Sequence, residues 1–319
     1  MRRILFSTLK ILVSAALLYF ALRKVNLAEL FARIDVSSLG WIGVAIAVTF
    51  LQIFIGVLRW REISAECGAP LPTRQAMRFN VIGTFFNQTL PSSIGGDAVR
   101  LWLVARSGHG WRAATYSIFV DRAIGLIALA IVIVASLPWS YRLIDDPHGR
   151  SALLLVDFAA LAAGAGFLIL GRLPWPWLKR WWATHHLVAC SAIANRLIFS
   201  RERGPKLAAL SLLVHVLTAV IAWCVVHSIA APVLFSQVFQ LVPPVMLITM
   251  LPISIAGWGV REATMGLAFG YAGLATAEGV NVSLLFGCVS FIIGAFGGLV
   301  WIFSAEKRAK GAAPIEVPE

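Results

Sequence analysis

The sequence predicts an all-α polytopic membrane protein, with six full spans and two re-entrant broken helices arranged as an inverted repeat. Three observations lead there: the composition, the spacing of the apolar runs, and a short polar motif that occurs twice. The chain is 59% hydrophobic and 13% charged, with a mean hydropathy of +0.84. It is therefore far more apolar than a soluble domain of ordinary composition. A formal net charge of +12 raises nucleic acid as a partner. The basic residues fall in the gaps between apolar runs rather than on one amphipathic face, so orientation in a bilayer explains them and no nucleic-acid partner is expected.

A run of roughly 20 apolar residues crosses the hydrocarbon core. Such runs occur near 4–22, 39–58, 113–137, 151–171, 206–229 and 279–303. The first, in MRRILFSTLKILVSAALLYFALRK, has a basic start like a signal peptide. It leads into Arg23 and Lys24 instead of a small-residue cleavage site, so it reads as a retained span with Lys10 snorkelling. Two further apolar regions, 75–106 and 236–275, are each cut by Pro, Gly and charge into pieces mostly too short to cross alone. Between spans four and five, Trp175, Trp177, Trp181 and Trp182 alternate with cations, as in an interfacial helix at headgroup level. Residues 304–319 form a short polar cytoplasmic tail, and 1–303 one transmembrane domain with repeat halves at about 39–137 and 206–303.

With a cytoplasmic N-terminus and each interrupted region returning to its starting side, 20 of the 27 Lys+Arg fall on the cytoplasmic side. The positive-inside rule favours that arrangement, with both termini cytoplasmic, the first interrupted region entering from the cytoplasm and the second from outside. Cys67, Cys190, Cys224 and Cys288 show no CxxC and no His spacing for zinc, so free thiols and no metal are expected, the last two on lipid-facing or packed helix. His215, His227 and Asp157, single polar residues within spans, read as satisfied interhelical hydrogen bonds.

The repeated motif is LPSSIGGDAVR at 90–100 and LPISIAGWGVR at 251–261. At an offset of 161 the copies share seven residues of eleven: Leu90/Leu251, Pro91/Pro252, Ser93/Ser254, Ile94/Ile255, Gly96/Gly257, Val99/Val260 and Arg100/Arg261. Proline disfavours helix at the residue before it, so Leu90 and Leu251 should end their helices. Gly95, Gly96, Gly257 and Gly259 then permit a tight reversal and close backbone approach. A new helix follows each break, and its first N–H groups need a partner that lipid does not supply. Asp97 could cap its helix or pair with Arg100 at i,i+3, and Gly266 and Gly270 have the GxxxG spacing of close helix packing.

Arginine and aspartate at bilayer depth cost about 2.5–3.5 kcal/mol each on insertion scales and mark functional positions. Arg100 and Arg261 hold equivalent places near helix N-termini and would form a positive midplane focus suited to phosphate, with Asp97 and Glu262 able to neutralise it. Asp121 and Arg122 lie inside the third span. Neighbours on a helix point about 100° apart, so one should turn to the first re-entrant loop, and Asp121 is expected to meet Arg100; the alternative has both snorkelling to headgroups.

These residues resemble the lysylphosphatidylglycerol synthase transmembrane-region family, a flippase-like membrane domain. NQTLPSSIGGDAVR, the Asp121-Arg122 pair with Gly125, and LPISIAGWGVRE carry the resemblance, over nearly the whole chain. It implies a multi-pass protein of the bacterial inner membrane related to the part of the synthase that moves aminoacylated lipid between leaflets. The motif positions it marks as substrate-binding are Asn87, Pro91, Gly95, Gly96, Asp97, Arg100, Asp121, Arg122, Pro252, Gly257, Gly259, Arg261 and Glu262. Synthesis in such proteins belongs to a soluble transferase domain that a tail of about 16 residues cannot fold, so neither an enzyme nor a cofactor is expected. The leading expectation is translocation of a lipid with a phosphate headgroup: a phospholipid, aminoacylated or not, or a lipid-linked precursor. The competing one is a non-transporting membrane partner of a lipid-modifying enzyme or glycosyltransferase. An intramembrane enzyme lacks a nucleophile, base and orienter set.

Overall fold

The computed structural model describes residues 12, 14–22, 30, 32–90, 95–173, 181–251 and 254–304. The secondary structure among these residues is helix, with helices α1 (Val36–Glu66), α2 (Thr73–Thr89), α3 (Gly95–Val104), α4 (Gly110–Leu143), α5 (Pro147–Leu170), α6 (Trp182–Ile198), α7 (Arg203–Ser228), α8 (Phe235–Thr249), α9 (Val260–Tyr271) and α10 (Thr276–Phe303) joined by turns. A wide π-type turn over Ala105–His109 joins α3 to α4, with Gly108 at φ 96°. Five stretches are long and apolar enough to cross a membrane: Val36–Glu66, Gly95–Leu143, Pro147–Leu170, Arg203–Ser228 and Thr276–Phe303. The expected span at 4–22 falls largely outside the described residues; those described there, 12 and 14–22, are helical. The polar tail is likewise outside them.

Local chemistry explains the boundaries. Asp35 caps α1: its carboxylate accepts the Ser38 N–H at 2.7 Å while the Ser38 hydroxyl accepts the Asp35 N–H at 3.1 Å, a reciprocal capping box. Asp146 caps α5 through the Gly149 N–H at 2.8 Å, with Pro147 in the first helical turn where a missing N–H does no harm. Helix α2 stops at Thr89 because Leu90, preceding Pro91, is extended at ψ 143°. Helix α8 ends at Thr249, one residue short of the corresponding place, with Met250 as its C-cap. The four limbs of the interrupted regions, α2, α3, α8 and α9, are 17, 10, 15 and 12 residues long, each short of a full crossing.

Helices α1 and α7 pack along each other at the centre. At one end Arg203 pairs with Glu66 at 2.7 Å and Lys206 with Glu62 at 2.6 Å, and at the other end of α1 Arg33 pairs with Glu278 at 2.6 Å. Around this axis the pairings obey one exchange rule. If α1, α2, α3 and α4 are swapped for α7, α8, α9 and α10, every packing pair maps onto another: α1·α2 onto α7·α8, α2·α3 onto α8·α9, α3·α4 onto α9·α10, α1·α4 onto α7·α10, α1·α10 onto α7·α4, and α2·α10 onto α8·α4. Helices α5 and α6 lie outside the exchange and pack on α4. Gly266 has its missing Cβ position 2.9 Å from Val280 and Gly270 has its own 3.0 Å from Thr276, so the GxxxG pair does hold α9 tightly on α10.

Two expectations about single polar residues need correction. Asp157 is buried in α5, yet both of its carboxylate oxygens lack a hydrogen-bond partner among the described residues. Spacing alone could not reveal that no donor faces it. His227 bonds within its own helix, to the Trp223 carbonyl at 3.1 Å, and packs on Trp41 and Trp223, so it makes no interhelical hydrogen bond. His215 does, with Nε2 2.9 Å from the Gly125 carbonyl oxygen of α4. Cys224 is buried in α7 and Cys288 exposed on α10.

Candidate functional site

The first break brings together an ion cluster from α1, α3 and α4. Its turn is closed by the Asn87 side-chain oxygen, which accepts the Gly96 N–H at 2.8 Å across the gap between α2 and α3. Gly96 presses on the Gly83 carbonyl and the Asn87 side chain, leaving no room for a Cβ. Gly83 in turn lets the Arg100 stem pass, since a Cβ there would lie 2.9 Å from Arg100 Cγ and Cδ. Close approach, not reversal, is thus what these glycines supply: neither Gly95 nor Gly96 has a positive φ. Pro91 and Pro252 lie outside the described residues.

Asp97 accepts two bonds from Arg122, at 2.6 Å from Nε and 2.8 Å from Nη2, and a third from Arg100 Nη1 at 3.2 Å. Arg100 also lies over the Trp60 ring, 4.1 Å from its centroid. Asp121 does meet Arg100, with Oδ2 3.7 Å from Nη2, but its nearer partner is Arg59, whose Nε donates to Oδ1 at 2.9 Å. Both members of the Asp121-Arg122 pair therefore turn inward, each toward a different opposite charge. Snorkelling does not occur, although the Arg122 side chain keeps 44% exposure.

Three guanidiniums face two carboxylates, which leaves the cluster one positive charge in excess. Arg59 Nη1 and Arg100 Nε and Nη2 are buried without a hydrogen-bond acceptor among the described residues. Each unmade bond of a buried polar group costs about 1–3 kcal/mol, more when the group is charged. Arg59, Arg100, Asp121 and Arg122 line a cavity of about 350 Å³. Polar stripes on the surrounding helices complete the wall: Thr49 and Gln52 on α1, Asn80, Thr84 and Asn87 on α2, His215 and Thr218 on α7, and Ser290 on α10. Met246 of α8 and Met250, its C-cap, form an apolar side. The cavity so lies between the two interrupted regions, walled by the long apolar helices, with three arginines of the cluster in its lining.

The second break is built differently. Ala256, Gly257 and Gly259 have φ of 51°, 80° and 84°, so this turn does use the left-handed region glycine tolerates. The Gly259 N–H donates to Glu262 Oε2 at 2.6 Å. Glu262 Oε1 accepts Arg261 Nη2 at 2.8 Å and the Ser283 hydroxyl at 2.9 Å, and Ser283 also receives Arg261 Nε at 3.1 Å. Glu262 is 0% exposed, and Arg261 sits between the Trp258 and Phe286 rings. From outside, Ser14 accepts the Ile255 N–H at 3.0 Å, and Gly259 packs on Ser14 and Leu17. Charge here balances one to one. Neither Arg261 nor Glu262 lines the cavity beside Arg100.

Sequence reasoning missed Arg59, which it counted with the cytoplasmic cations beyond the span at 39–58. A signal was present. Thr49, Gln52, Gly56 and Arg59 follow at spacings of three, four and three, a single helical face that is polar or small in an otherwise apolar helix.

Comparison with known families places this arrangement. Residues 7–298 match the family described as Lysylphosphatidylglycerol synthase TM region. The chain belongs to this family. Comparison with curated proteins and with solved structures found no match. Membership and the long apolar helices make the chain a multi-pass membrane protein related to lipid handling. All the family motif positions named from the sequence fall within the matched range, as does Arg59.

Proposed function

We propose that this member of the lysylphosphatidylglycerol synthase TM region family moves a phosphate-bearing lipid across the bacterial inner membrane, with the headgroup in the cavity beside Arg59, Arg100 and Arg122 and the acyl chains left in the bilayer. The observation that carries the reading is the excess positive charge of three arginines over two carboxylates, with all three arginines in the lining of a polar cavity walled by the long apolar helices. A phosphate presents several acceptor oxygens, matches the guanidinium fork, and neutralises the excess charge. A cationic headgroup would meet three arginines.

The framework in this reading is an inverted repeat: α1–α4 and α7–α10 in opposite orientations, each with a re-entrant pair, and both termini cytoplasmic. It is supported by the motif shared at offset 161, by the exchange rule of the helix pairings, and by the distribution of basic residues. The two halves then divide the work. The first tip supplies charge to the substrate, and the second, with Arg261 neutralised by Glu262 and braced by Ser283, is a rigid wall against which the first can shift. Purified protein in liposomes, with fluorescent phospholipids scored for leaflet exchange, tests the proposal. Exchange above that of protein-free liposomes supports it; none for any phosphate-bearing lipid, from folded protein, overturns it and leaves a partner of an envelope enzyme as the reading.

A further inference from the structure

A second cavity lies apart from the first and shares no residue with it. It is about 400 Å³ and runs between the first turns of α4 and the start of α6, walled by Trp111, Phe119, Trp182, Leu187 and Cys190. Three of its polar side chains bond within the wall. The Tyr116 hydroxyl and His186 Nδ1 are 2.6 Å apart, and the Thr115 hydroxyl donates to the Trp111 carbonyl at 2.8 Å. Water in this groove would find almost no partner, so it suits hydrocarbon. Its outer edge is open: Trp182 is 79% exposed and Trp111 45%. Tryptophans in such numbers mark the level of the membrane interface. The Arg112 guanidinium, on an exposed residue of the groove's lining, lies over the Tyr116 ring, 5.4 Å from its centroid.

We propose that this groove is a fixed binding site for one anionic phospholipid of the adjacent leaflet, an acyl chain filling the space between α4 and α6 and the phosphate lying on Arg112. The site is separate from the translocation cavity, and it does not depend on transport. It tethers α6, which is too short to span, to the membrane surface through lipid as well as through its own contacts with α4. A long apolar groove at the interface selects a chain, and the arginine at its mouth selects a negative headgroup. A single cation near the membrane surface favours an anionic lipid roughly fivefold.

Native mass spectrometry of detergent-purified protein titrated with phosphatidylglycerol or phosphatidylcholine reads this directly. Wild type should retain one phosphatidylglycerol more than Leu187→Trp, which fills the groove. Ala183→Trp, a substitution on the exposed edge of the same wall, should do the same should Leu187→Trp fail to fold. Arg112→Gln should keep a bound lipid but lose the preference for phosphatidylglycerol, by roughly fivefold. Equal lipid numbers in wild type and a folded groove-filled variant, or an unchanged preference in Arg112→Gln, would overturn the proposal.

Discussion

Removing Asp121 should destabilise the bundle through its arginines, and the size of the effect follows from burial. The Asp121 and Arg59 side chains are 6% and 10% exposed, and their bond is 2.9 Å. Breaking a buried pair by deleting one partner costs about 3–5 kcal/mol, because the other charge stays behind uncompensated. Asparagine at 121 still offers one oxygen to Arg59 Nε, so Asp121→Asn belongs near about 3 kcal/mol in that range. It also raises the excess charge of the cluster by one. Arg59→Met leaves Asp121 with Arg100 alone, 3.7 Å away, and should lose a similar amount. The double variant restores the original excess of charge and should be no less stable than either single, which makes the coupling at least about 3 kcal/mol, at the top of the range for one network. In thermal unfolding of purified protein each single should lower Tm by roughly 6–12 °C, from about 2–4 °C per kcal/mol, and the double by no more. Additive losses would mean that Arg59 and Asp121 do not act as a pair, and the geometry of the cluster would have to be abandoned.

Gly96→Ala should keep the protein from accumulating in membranes, because the added methyl meets the Gly83 carbonyl and the Asn87 side chain at once; near-normal yield and Tm would refute the close approach. Single cysteines at Ser107 and Ala275, in a background without other cysteines, should label from opposite sides of the membrane, the first from the cytoplasm. Labelling of both from one side would remove the inverted repeat. The Asp35 carboxyl is held below its ordinary 3.8, chiefly by the Ser38 N–H bond. A depressed carboxylate contributes stability above its unfolded pKa and loses it as pH falls through the folded one. Wild-type Tm should therefore decline below pH ~4 more steeply than that of Asp35→Asn, and parallel profiles would contradict the capping role.

How much of this was legible in the sequence depends on what each feature rests on. The breaks at Leu90 and Leu251 were legible because proline acts on its own neighbour. The pairing of the halves was legible because seven residues recur at one offset. Asp121 was placed correctly beside Arg100 from helical phase alone. Arg122 was not, since a bidentate bond to Asp97 depends on how closely α3 approaches α4, which Gly83 and Gly96 determine through packing. Arg59 was hidden by its position at the edge of an apolar run, where a cation ordinarily marks a loop. The unlike chemistry of the two tips also escaped the comparison: Arg100 and Arg261 match in sequence, but Glu262 has its counterpart one residue along, at Leu101. Ser283, on another helix, completes the neutral set around Arg261. Equivalent positions in a repeat share backbone geometry without sharing partners.

The central claim is that arginines of the first tip hold a lipid phosphate while those of the second do not. Leaflet exchange in reconstituted liposomes tests it when run with Arg100→Lys and Arg261→Lys side by side, each verified as folded, and with a phosphate-bearing and a phosphate-free fluorescent lipid. Lysine keeps the charge and loses the planar fork. The account predicts that wild type moves the phosphate-bearing lipid and not the other, that Arg100→Lys reduces this at least tenfold at unchanged Tm, corresponding to about 1.4 kcal/mol, and that Arg261→Lys lowers Tm more than it lowers the exchange rate of the protein that remains folded. Equal loss of exchange in both variants at wild-type Tm, or undiminished exchange in Arg100→Lys, would contradict it.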